Sequence, residues 1–187
     1  MSNSANNVSV GKPVVTGAVF AAAAGSTLPT ATSSALDAAF KAMGYVSEDG
    51  VTNSNSISSE TIKAWGCDIV ATPMTEKTDT FKLKLIEATN TDVLAVVFGS
   101  DNVSGSMATG VTINVNSKDL PEKSWVIDMI LRNNAAKRIV IPNGKISELG
   151  DVVYKDDEVI GYEITISCLP DASGNTHYEY IKAASST

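Results

Sequence analysis

The sequence predicts an all-β protein with a minor α component: an antiparallel β-sandwich or partly rolled barrel with a short helix on its flank. Three observations predict it. Apolar runs with period-two alternation recur at short spacing, turn-rich punctuation separates them, and only two segments carry helical spacing. No repeat of 20 to 50 residues is visible, which excludes a solenoid or propeller.

Residues 1–12 are polar and without period, so they read as a flexible N-terminal arm ending at Pro13. Residues 13–187 then read as a single β-sandwich domain. Val14 to Phe20 reads as a buried strand kinked at Gly17. Leu36, Ala39, Phe40 and Met43 recur at helical spacing behind Ser33 or Ser34 as a cap, with Gly44 as a left-handed stop, and predict an amphipathic helix. Tyr45 to Val51 is extended. Thr52 to Ser59 has few apolar side chains and predicts an exposed loop, so that a long loop protrudes at about 52–66. Within it Trp65 shares a face with Lys63 and needs a partner, either its own domain or a neighbouring subunit.

Phe81, Leu83 and Leu85 against Lys82 and Lys84 form a half-buried strand. A second helix follows, with Asn90 or Thr91 as cap, Val93, Leu94 and Val97 as stripe and Gly99 as stop. Val111 to Val115, Ser124 to Leu131, Ala136 to Ile141 (ending at Pro142), Ile146 to Tyr154 and Ile160 to Leu169 all read as strands. In the last, Tyr162, Ile164, Ile166 and Cys168 share one face. Pro170 to Asn175 is a turn, and His177 to Ile181 closes the pattern.

A length of 187 residues suits one core that needs no disulfide or structural metal. Hydrophobic residues make up 43% and charged residues 19%, and Ser, Thr and Asn complete the surface. A net charge of −7 argues against tight binding to phosphate backbones, so a nucleic-acid reader is not expected. No run reaches the ~18 apolar residues of a membrane span, and no membrane partner is expected. Val14 to Ala24 has the length of a signal-peptide core, but Thr16 and Gly17 interrupt it and residues 1–7 lack basic charge. Intracellular synthesis is therefore the expectation.

The common dinucleotide, phosphate-loop, nucleophile-elbow and zincin motifs are absent, and His177 is the only histidine. It reads as an edge-strand residue, with no acid or nucleophile at an interpretable distance. Asp151, Asp156, Asp157 and Glu158 lack the spacing of a calcium loop and read as a solvated hairpin. Glu48 and Asp49 are strand neighbours that point to opposite faces and cannot flank one bond. Arg132, Lys137 and Arg138 read as a solvated strand end. Cys67 and Cys168 form no metal or redox pair. No catalytic, cofactor-binding or metal-ligating residue is predicted. Polar extended segments, an arm and a long loop instead suggest self-association, which protects strand edges by pairing them with another copy.

Longer words carry a resemblance. Leu36 to Gly44 (LDAAFKAMG) running into Tyr45 to Ser54 (YVSEDGVTNS), Ile62 to Gly66 (IKAWG), Trp125 to Met129 (WVIDM), Lys137 to Asn143 (KRIVIPN), Gly161 to Ile166 (GYEITI) and Gly174 to Tyr180 (GNTHYEY) lie in one order along the chain. Together they resemble the major tail tube protein of long-tailed, non-contractile bacteriophages over nearly the whole length. The resemblance implies that fold, with six copies closing into a ring whose inner strands form one barrel. Stacked rings would form the tail tube, a conduit through which DNA passes without specific binding. It implies a non-enzymatic virion protein, assembled in the host cytoplasm, whose partners are itself and other tail proteins such as the tape measure and tail terminator. It also implies that Ile57, Ile62 and Trp65 make inter-subunit or inter-ring contacts, and a Gly where this chain has Cys67. Six copies at −7 would carry about −42 per ring, the same sign as the passing DNA. The alternatives are the inner tube of a contractile injection apparatus, a carbohydrate-binding or adhesive module using Trp65, Trp125 and Tyr178, and a small hydrolase using His177.

Overall fold

The computed structural model describes residues 3–15 and 17–184, so the expected arm over 1–12 and the domain end at 187 fall partly outside the described residues. The chain runs through β1 (Lys12–Pro13), β2 (Val19–Ala23), β3 (Lys41–Ala42), β4 (Val46–Ser59), β5 (Ile62–Lys63), β6 (Ile69–Ala71) and β7 (Met74–Leu85). Helix α1 (Thr91–Phe98) follows, then β8 (Val103–Ser106), β9 (Gly110–Ile113), β10 (Lys123–Ile130), β11 (Ala136–Leu149), β12 (Tyr162–Leu169) and β13 (Tyr178–Lys182). The main sheet is antiparallel in the order β3-β2-β10-β11-β12-β7-β4, with β1 beside β10 and β13 beside β11. Two small hairpins, β5-β6 and β8-β9, stand apart from it. Among the described residues the sheets are open and do not close into a barrel.

Both faces of the sheet's centre are covered. Trp125, Ile127, Ile139, Ile141, Leu83, Leu85 and Ile164 meet Val93, Leu94, Val96 and Val97 of α1 on one face. Val126, Val140, Ala22 and Phe40 form a second cluster on the other. Burial on both sides is why Ser124 to Ile127 reads as a run without alternation, whereas β12 alternates cleanly. Helix α1 matches its prediction: the Asn90 side chain accepts from Asp92 N at 3.0 Å, and Gly99 ends the helix at φ 92°.

The helix predicted over Leu36 to Met43 is not formed. Helical spacing would put Phe40 and Met43 on one side, but Phe40 belongs to the second cluster and Met43 to the main core. An extended chain can supply opposite faces and a helix stripe cannot. Backbone groups find other partners: Met43 N donates to Val19 O at 2.8 Å, and β3 pairs with β2. Arg138 captures the carbonyls of Ala31 and Ser34 at 3.1 and 2.6 Å. Arg138 is therefore not the solvated strand end its sequence context suggests. It is buried and forms a bidentate pair with Asp128 at 2.7 and 2.8 Å.

Boundaries also moved: the strand expected over Ile146 to Tyr154 is the end of β11 and stops at Leu149. Gly17, at φ 124°, breaks the first strand, which begins only at Val19 and leaves Val15 exposed. Pro142 does not end its strand. It lies inside β11, where the pairing with β10 shifts register, and the Ser124 hydroxyl donates to its carbonyl at 2.8 Å. A proline is accommodated at such an irregularity because no ladder N–H is required there.

Candidate assembly interface

The stretch expected as a loop from Thr52 has strand backbone. β4 and β7 pair from Val46↔Leu85 out to Ser59↔Met74, and beyond Asp79 every residue of both strands is exposed. The result is a two-stranded arm tipped by β5, β6 and the turn between them. At ~3.3 Å per residue β4 alone runs roughly 23 Å from Thr52 to Ser59. Ser, Thr and Asn form this ribbon because pairing needs only backbone groups and tolerates polar side chains on both faces. That is why apolar periodicity does not reveal it.

Ile57 (60%), Ile62 (49%) and Trp65 (106%) are all exposed on this arm, joined by Ile69, Val70 and Met74. The arm thus carries uncovered apolar area on a slender element. At the tip Cys67 takes φ 75°, the left-handed region that favours glycine.

The sheet face opposite α1 carries the second feature. Register places Thr52, Ser54, Ser56 and Ser58 of β4 beside Lys82, Thr80, Thr78 and Glu76 of β7. Ser167, Thr165 and Glu163 of β12 continue that row. These side chains alternate with the buried Phe81, Leu83, Ile164 and Ile166, so over β12, β7 and β4, beyond the second cluster, this face is uncovered and rich in hydroxyls. Its lysines are neutralised within the chain: Lys82 with Glu163 at 2.8 Å, Lys84 with Glu158 at 3.5 Å and Lys145 with Asp119 at 2.6 Å. The face ends at β4, the 14-residue strand that terminates the sheet.

Where the arm joins the body, Asp79 is 3% exposed. Asn53 Nδ2 donates to its Oδ1 at 2.8 Å, Thr176 Oγ1 donates to its Oδ2 at 2.7 Å, and His177 Nδ1 lies 2.5 Å from Oδ2. Burial alone would raise the Asp79 pKa. The hydrogen bonds from Thr176, Asn53 and His177 outweigh it and hold the carboxyl below its ordinary value. His177 thus has an acid partner that sequence distance hid. The parity of Phe81, Leu83 and Leu85 is the available signal, since it places residue 79 on the core side.

The other singled-out residues do not converge. Trp125 is fully buried, and Tyr178 donates to Asp171 at 2.6 Å, so neither joins Trp65 in an aromatic platform. Glu158 of the acidic cluster pairs with Lys155 and Lys84. Lys137 pairs with Glu179, and Arg132 donates to Ala5 O at 2.7 Å. Among the described residues no group of three or more His, Cys, Asp or Glu is placed to hold a metal ion, and no helix is long and apolar enough to cross a membrane.

A family model described as phage tail tube protein matches residues 1–187. The chain belongs to that family. As a phage tail tube protein it is a structural component of the virion tail, built to assemble with other tail proteins. No curated protein matches it. Among solved structures it is similar to the cryo-EM structure of the anti-feeding prophage cap (AFP tube terminating cap), at 9% identity and a TM-score of 0.44, over 98% of this tail tube chain and 100% of that one.

Proposed function

We propose that this tail tube protein closes into hexameric rings that stack into the phage tail tube, and that the tube conducts DNA during ejection without performing a reaction. The observation that carries the reading is the β4–β7 arm, a long sheet-terminating strand that leaves the body and ends in an exposed apolar tip. An edge of that length invites pairing with another copy, and a closed ring removes it. The exposed Ile57, Ile62 and Trp65 are then contacts to a neighbouring subunit or ring. Burying each large side chain contributes about 1.5–3 kcal/mol. The ordering cost of a free loop, ~1–2 kcal/mol per residue, is already partly met by pairing within the arm.

In such a ring the bare hydroxyl face turns toward the axis. The opposite face carries α1 and β8-β9, and the bulkier layer needs the larger circumference. A wall whose lysines are paired offers a passing polyanion nothing to grip, in keeping with the net charge of −7. Assembly would take place in the host cytoplasm, with the tape measure and tail terminator as further partners.

Negative-stain microscopy of concentrated protein should give six-fold rings or tubes. A persistent monomer, even when seeded with tail-tip complexes, would refute the reading. Trp65→Ala should keep the native melting temperature, since the indole touches little of its own chain, while tubes shorten or vanish. Tubes of normal length from this variant would remove Trp65 from the interface.

A further inference from the structure

One buried ionisable cluster is left without a role by the tube reading. Asp79 occupies the last core-side position of β7 before the strand becomes fully exposed. Its two oxygens collect three donors from two separate segments: Asn53 on β4, and Thr176 and His177 in the stretch leading into β13. His177 also sits edge-on to Phe81, the next core-side residue of β7, with centroids 5.3 Å apart. An apolar residue at position 79 would seal the core equally well, but only directed bonds fix an angle. A two-stranded ribbon by itself is marginal and twists freely.

We propose that Asp79 is a latch: by tying β4, β7 and the segment before β13 at one point, it sets the direction in which the arm leaves the body before any partner arrives. Asn53 also donates to Thr80 O at 3.1 Å, so the bond to β4 is held in register with the ribbon. Pre-setting the arm reduces the entropy lost on docking. This consequence for assembly rests on the tube reading; the latch itself does not.

The test measures arm direction in the monomer. Cys67 is exposed and Cys168 buried, so a spin label attaches at the tip, and a second goes on Thr89→Cys, an exposed body position. Electron–electron double resonance should give one narrow distance distribution in the otherwise native chain. It should broaden in Asp79→Asn and His177→Gln, and stay narrow in Arg138→Lys, which weakens the body without touching the arm. Elongation of tubes by the two latch variants should slow about tenfold. A broad distribution in the native chain overturns the latch without recourse to variants, as does a narrow one in both latch variants. If the latch behaves as expected but no protein forms tubes, the tube reading fails and the latch stands.

Discussion

Trp125 and Gly144 are fitted to one another across β10 and β11. The indole N–H donates to Gly144 O at 3.3 Å, and a methyl group on Gly144 would sit 2.6 Å from Trp125 Cδ1 and 2.8 Å from Ile166 Cγ2. Gly144→Ala should therefore cost about 1–3 kcal/mol by overpacking. Thermal melts should fall by several degrees, while any tubes that form keep their native geometry.

Arg138 clamps Asp128 and the carbonyls of Ala31 and Ser34 from a buried position. Arg138→Ala would leave the Asp128 carboxylate uncompensated and release the segment before β3, at about 3–5 kcal/mol. Urea denaturation should register the loss, and limited proteolysis should cut near residues 28–40. Arg138→Lys keeps the charge without the fork and should fall between the two.

Acid stability should follow Asp79. Its folded-state pKa lies below the ordinary ~3.9 of an unfolded Asp, so its contribution is complete above that value. The contribution is lost as pH falls through the folded-state pKa. Asp79→Asn should lower stability by about 1–3 kcal/mol at pH 7 and flatten the decline below about pH 4. Denaturant titrations at several pH values would check this. An unchanged acid limb would mean that other carboxyls set it.

The two thiols should react unequally. Cys67 is exposed, whereas burial, with the nearby Asp79 charge, pushes the Cys168 thiol up to about 12. A thiol reagent at pH 8 should titrate one group in the folded protein and both in denaturant. Cys67→Gly should relieve the positive φ at the tip and slow amide exchange across β5 and β6.

Periodicity in the sequence sufficed for the β class, for α1 with its cap and stop, and for the core faces of β7 and β12, because a half-buried strand or helix writes its burial into local spacing. Ordered words along the chain sufficed for the family. The false helix at Leu36 to Met43 had the right spacing for the wrong reason: its apolar residues serve two opposite faces of one sheet, which only the folded chain brings to either side of it. The β4–β7 arm was equally hidden, since its ladder is made of backbone groups and its side chains are polar. Arg138 with Asp128, and Asp79 with His177, are pairings across turns or nearly a hundred residues, whose burial depends on what the sheet carries past them. Local sequence sets which face of an element seeks the core; which distant polar group meets another there was decided only by the tertiary structure.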